Sequence, residues 1–226
     1  MEGWIGGDGA PPSSGRAEIP HEGNSVIIHF MNTEEKNFLL SQIQTDVSLI
    51  SFLSVIAVFF IGALIPQFNS YDLSVKIPIS FLIVATFAFV FSALILSNAS
   101  SKISTGDSER AKRHITYGYA ISEYLGVFLF VLSVPLAISI ITADLYLRIV
   151  TFCAAILGMG IYSLGGFSLL EGHFKKSRRL ISVIMILFGT ILFFSQIYAF
   201  HFTGIAIIFL LVVLLVTVLA PIKKFQ

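Results

Sequence analysis

Six apolar segments, each close to the roughly 20 helical residues needed to cross a hydrocarbon core of about 30 Å, limit what this chain can fold into more than any other feature. They lie near 46–68, 77–97, 116–142, 149–170, 180–200 and 202–221. Between them stand short polar or proline-bearing connections. Pro66 closes the first segment, Pro78 suits the first turn of the second, and His201 to Gly204 mark a tight hairpin between the last two. Only 12% of the residues are charged while 56% are hydrophobic, whereas a water-facing domain keeps about a quarter charged. The implied fold class is an all-α, polytopic transmembrane helical bundle of about six spans.

Residues 1–30 are rich in glycine and proline and lack apolar periodicity. They read as a disordered tail or as an extension upstream of a start at Met31. No basic stretch precedes a long apolar run there, so a secretory signal is not expected. Residues 31–45 have a helix-start pattern, with Asn32 or Thr33 as cap and Glu34 and Glu35 in the first turn. This stretch is expected as an amphipathic helix on the inner membrane face, leading into a six-helix domain over 46–226.

Lysine and arginine are distributed unevenly between alternate connections. Lys36 precedes the first span, Lys102, Arg110, Lys112 and Arg113 follow the second, Lys175, Lys176, Arg178 and Arg179 follow the fourth, and Lys223 and Lys224 follow the last. The other connections hold only Lys76 and Arg148. By the positive-inside rule both termini are expected in the cytoplasm. The glycosylation-like triplet Asn98-Ala99-Ser100 then falls on the inner side and goes unused. The basic loops, above all Lys175, Lys176, Arg178 and Arg179, are candidates to meet anionic lipid headgroups. The net charge of +1 gives no reason to expect nucleic acid as a partner. The lone Cys153 excludes an intramolecular disulfide.

Catalytic patterns are missing. There is no HExxH, no GxSxG and no lysine within the last span, and the histidines are not placed to face one another within the membrane as haem ligands. No catalytic residue, metal site or cofactor is assigned. A metal between His114 and His173 is the weaker reading beside two interfacial histidines.

Carboxylates close to the membrane are the more useful clue, because charge in hydrocarbon is costly and usually faces a bundle interior or a pathway. Asp46, Glu123 and Glu171 fall near inner helix ends. Counting from Thr116 puts Glu123 about 10 Å into the core, yet the apolar run 124–141 alone nearly suffices to span, which puts it at the interface. Thr116, Tyr119, Glu123, Gly126 and Phe130 share one helical stripe that should face other helices. Glu123 with Asp46 or Glu171 could form a proton or cation site. The plainer reading is an ion pair with Arg113, Lys112 or the 175–179 cluster.

Small residues on the fourth span, including Ala154, Gly158, Gly165 and Ser168, form a seam suited to close helix packing within the bundle or across a dimer. Ser48, Ser51 and Ser54 are placed for interhelical hydrogen bonds. Tyrosines near span ends, Tyr117, Tyr119, Tyr146 and Tyr198 among them, read as interfacial anchors. Two functions remain open: a small transporter or channel using the inner carboxylates, or a nonenzymatic subunit or scaffold docking membrane partners or its own copies. A lipid-modifying enzyme ranks third, since no known spacing supports it.

Overall fold

The computed structural model describes residues 33–66, 73–164, 175–198 and 202–222. Among these the regular elements are all helical: α1 (Thr33–Leu64), α2 (Leu73–Ser104), α3 (Ser108–Ala120), a π-helical segment (Ile121–Val127), α4 (Phe128–Ile141), α5 (Leu145–Leu164), α6 (Lys175–Ile197) and α7 (Phe202–Ile222). Because α3, the π segment and α4 are continuous, the described residues form six rods. Five are long and apolar enough to cross a membrane, the build of a multi-pass membrane protein. The remaining rod, α6, covers most of the expected span 180–200, but its apolar part, Ile181–Ile197, is shorter. The difference lies mostly at its far end, where α6 stops at Ile197, three residues short of the expected 200.

Several boundaries differ from expectation. The approach segment and the first span are one uninterrupted helix, α1, which begins at Thr33 and stops two residues before Pro66. Helix α2 begins at Leu73, so Pro78 lies inside it rather than in its first turn. The ring nitrogen cannot donate to the carbonyl four residues back, and the cost is absorbed within a buried stretch where Ile77 and Ile79 also pack. The N-terminal stretch 1–32 and the segment 165–174 lie outside the described residues.

The two resolved turns close in different ways. Between α2 and α3, Gly106 takes φ +81°, a left-handed conformation that costs a residue with a Cβ. Asp107 then caps α3, its carboxylate accepting from the Arg110 N–H at 3.3 Å. Between α4 and α5, Asp144 accepts from the backbone N–H groups of Tyr146 at 2.8 Å and Leu147 at 3.3 Å, and Arg148 Nε donates to the Thr142 carbonyl at 2.7 Å.

Contacts between rods fix their directions. Lys36 Nζ at the start of α1 donates to the Ser104 carbonyl at the end of α2, at 3.4 Å. Phe152, early in α5, stacks on Phe193, late in α6, with ring centres 4.2 Å apart. Gln196 Nε2, late in α6, donates to the Leu136 carbonyl, late in α4, at 3.1 Å. Phe81 and Phe209, early in α2 and α7, meet at 5.8 Å. Consecutive rods therefore run in opposite directions. The start of α1, the α2–α3 turn, the start of α6 and the end of α7 share one end of the bundle.

Helix α2 is the hub, packing against α1, α3, the π segment, α4 and α7. Its Phe81, Phe89 and Leu96 meet Tyr124, Phe128 and Leu129 in the main core. Large side chains such as Phe52, Phe59, Leu157 and Leu211 point outward. An apolar surface of this extent suits lipid, where it carries no hydrophobic penalty.

Candidate functional site

The polar interior of the bundle is built where α1, α2 and the α3–π rod cross. The Tyr119 hydroxyl donates to Asp46 Oδ2 at 2.7 Å, joining α3 to α1. Tyr119 is 5% exposed and Asp46 8%. Tyr119 is thus not an interfacial anchor: its ring is packed in the core and its hydroxyl is committed to a carboxylate. Tyr146 and Tyr198, by contrast, are broadly exposed near helix ends, where an anchor belongs.

One turn further along, Glu123 is 0% exposed. It sits in the π segment, whose signature bond runs from the Phe128 N–H to the Glu123 carbonyl, five residues back. Such a wide turn displaces carbonyls from their ordinary donors, and two serines supply hydroxyls at its entrance. Ser92 Oγ on α2 donates to the Gly118 carbonyl at 2.7 Å, and Ser122 Oγ donates to the Tyr119 carbonyl at 3.1 Å. Thr116, a turn earlier, is fully buried with no hydrogen-bond partner on its hydroxyl.

Glycines let the rods approach closely here. A Cβ on Gly126 would lie 2.4 Å from the Phe89 ring, and one on Gly118 would lie 2.8 Å from Leu96. These two contacts and the Ser92 bond set Glu123 level with the stretch of α2 from Phe89 to Ser92. At 1.5 Å per residue, that is about 15–20 Å along the axis from Lys102. Glu123 therefore lies well inside the bundle, a depth the two sequence counts left open.

The remaining candidates are dispersed. Arg113 pairs with Glu109 on its own helix, and Arg110 Nε lies 3.4 Å from Asp107, both at the solvent end of α3. Glu171, His173, Gly165, Ser168, Lys223 and Lys224 lie outside the described residues, as do the side chains of Lys175, Lys176, Arg178 and Arg179. Within α5, Ala154 and Gly158 face outward, and nothing lies within 4 Å of a Cβ built on Gly158. Ser48 and Ser51 bond back to the Gln44 and Val47 carbonyls of their own helix, at 3.0 and 2.8 Å, rather than across to another. A hydroxyl four residues after a carbonyl satisfies itself locally at no cost in helix geometry beyond slight bending.

His114 is placed by two contacts. Its Nδ1 lies 2.6 Å from the Arg110 carbonyl, to which it must donate, leaving Nε2, 3.4 Å from Asn98 Nδ2, as acceptor. Asn98 is thus a helix residue facing a neighbour. Among the described residues, no three His, Cys, Asp or Glu side chains come together as a metal site.

Sequence reasoning singled out Asp46 and Glu123, both of which are buried, but not Ser92 or the pairing role of Tyr119. The available signal was polar side chains inside apolar runs, which marks a residue as unusual without naming its partner. The chain matches no protein-family model, no curated protein and no solved structure.

Proposed function

We propose that this membrane protein carries protons or a small monovalent cation across the bilayer, with Glu123 as the central exchange group and Asp46 as its companion. The single observation that carries this reading is a fully buried glutamate on a π-helical turn, one turn along from Tyr119, whose hydroxyl holds a buried aspartate. A carboxyl group inside a membrane bundle has a strong free-energy reason to take up a proton or a cation, and π turns recur at functional positions because they widen the helix and re-aim its side chains. In this reading both termini and all the strongly basic segments face the cytoplasm, as the clustering of lysine and arginine at one end of the bundle favours.

The test is flux in liposomes holding the purified protein, under an imposed pH or potassium gradient. Glu123→Gln should abolish the flux and Asp46→Asn should reduce it, while Lys76→Gln, at the opposite end of α2 from the basic turn, should leave it unchanged. Flux that persists undiminished in Glu123→Gln removes the proposal.

A second reading is favoured by α5. Its outward Ala154 and Gly158 form a small-xxx-small surface with nothing packed on it, the kind on which another transmembrane helix docks. Here the protein is a nonenzymatic subunit or scaffold, meeting membrane partners or its own copies through α5 and anionic lipid through the basic segment 175–179. Gly158→Leu should then leave the fold intact and dissociate the assembly, as read by size-exclusion chromatography with light scattering.

A further inference from the structure

Beside the polar interior, and independent of it, an apolar groove of about 460 Å³ opens on the flank of the bundle between α2, the α3–π rod and α7. Its floor includes Ala88, Ile121 and Leu125, and its rim carries Phe87, Phe91 and Val218. Phe87 and Phe91 are stacked at 6.2 Å, forming a continuous wall that is more than half exposed. The one hydroxyl that α7 contributes, on Thr217, is committed to the Val213 carbonyl at 2.8 Å, so that wall offers no free donor.

Three features say what fits. From Val84 to Ile95 the groove runs about 16 Å along α2, roughly half of a 30 Å hydrocarbon core, which is the depth of a single leaflet. The stripe that lines it, Val84, Ala88, Phe91 and Ile95, continues by steps of three and four through Asn98 to Lys102. On the facing helix, Leu125, Ile121 and Tyr117 continue to His114 and then Arg110. The Asn98–His114 contact therefore closes the groove at its polar end, and Lys102 lies about one turn beyond it. The groove is thus apolar for the length of one leaflet and ends in hydrogen-bonding and cationic groups at the basic end of the bundle.

We infer that this groove is a binding site for one anionic glycerophospholipid of the leaflet at the basic end. An acyl chain lies along Val84 to Ile95, and the phosphate sits by the Asn98 amide and the Lys102 ammonium. Anionic lipids concentrate in the leaflet that basic segments face, and a lysine near its surface attracts them. The inference needs only the membrane setting and not the carriage of ions.

Native mass spectrometry of the purified full chain, titrated with phosphatidylglycerol or with phosphatidylcholine of identical acyl chains, tests it. The wild-type protein should retain phosphatidylglycerol more tightly. Lys102→Gln should weaken phosphatidylglycerol by about fivefold and leave phosphatidylcholine unchanged, the effect of losing one cation near the surface. Val218→Trp, at an exposed rim position that does not disturb the core, should weaken both lipids. Equal retention of the two lipids by the wild type, or unchanged binding in Val218→Trp, overturns the assignment. So does a dimer that Val218→Trp converts to monomer, because the groove would then be covered by a second copy.

Discussion

Asp46 and Tyr119 illustrate how a single buried hydrogen bond constrains a membrane bundle. The carboxylate is nearly enclosed, and the Tyr119 hydroxyl spans from one rod to another at 2.7 Å to meet it. Tyr119→Phe removes the donor and leaves the acceptor buried, which should destabilise the protein by about 1–3 kcal/mol in reversible unfolding from detergent or bicelles. Asp46→Asn keeps an oxygen that can accept from the same hydroxyl, so its cost should be clearly smaller. A result in the opposite order would mean that the aspartate is held by something other than Tyr119. At this scale the sequence was partly legible. Asp46 and Glu123 stood out as carboxylates bordering apolar runs, but the tyrosine partner did not. Pairing requires knowing which turn of α1 is level with which turn of α3, and the register between rods is set by packing across the whole interface.

The element that sequence alone concealed is the π segment. An α-helix and a π-helix draw on the same residues, and the polar Ser122 and Glu123 within Ile121–Val127 mark an unusual position without specifying a widened turn. What holds it is largely tertiary: Phe89 against Gly126, Leu96 against Gly118, and the Ser92 hydroxyl on the Gly118 carbonyl, with a local bond from Ser122 to the Tyr119 carbonyl. Gly126→Ala should therefore cost about 1–3 kcal/mol by overpacking, because the Phe89 ring is fully buried and has little room to withdraw. Gly62→Ala in α1, where a Cβ meets nothing within 4 Å, should instead stabilise by up to about 1 kcal/mol from helix propensity. Unfolding midpoints of the two variants, measured side by side, separate close packing from propensity. The helices themselves were easy to foresee, since apolar length alone defines them. Their ends were less so, as Pro78 shows: a proline that suits a first turn is also tolerated several residues inside when its neighbours are buried.

For the molecule as a whole, the expectation from the sequence is that the lysine- and arginine-rich connections share one side, and contacts among the described rods bring the start of α1, the α2–α3 turn and the start of α6 to one end of the bundle. The reason is that charge is excluded from the hydrocarbon, so the sorting of basic residues by side is written directly into the sequence. Membrane sidedness can be measured on two turns in a Cys153→Ser background. Ala143→Cys should react with a membrane-impermeant maleimide in intact cells, and Thr105→Cys only after the membrane is opened. Reaction of Thr105→Cys from outside would invert the proposed orientation. The proposed function was the least legible of all, because it rests on a few polar atoms whose meeting is a property of the assembled bundle.

The position of α2 at the hub has a bearing on biosynthesis. It follows α1, with which it shares a long surface, and it shares a larger one still with the α3–π–α4 rod that comes after it. The α3–π–α4 rod and α7 then find in α2 a template already inserted, while α5 and α6 add to α4 from the side. This arrangement lets the described rods pack on α2 in the order in which they are made, with α7 joining the hub after α5 and α6. A lesion in α2, at Ser92 or Phe89, would then strike during insertion, when quality control reads an exposed polar face, rather than as slow unfolding of a finished protein.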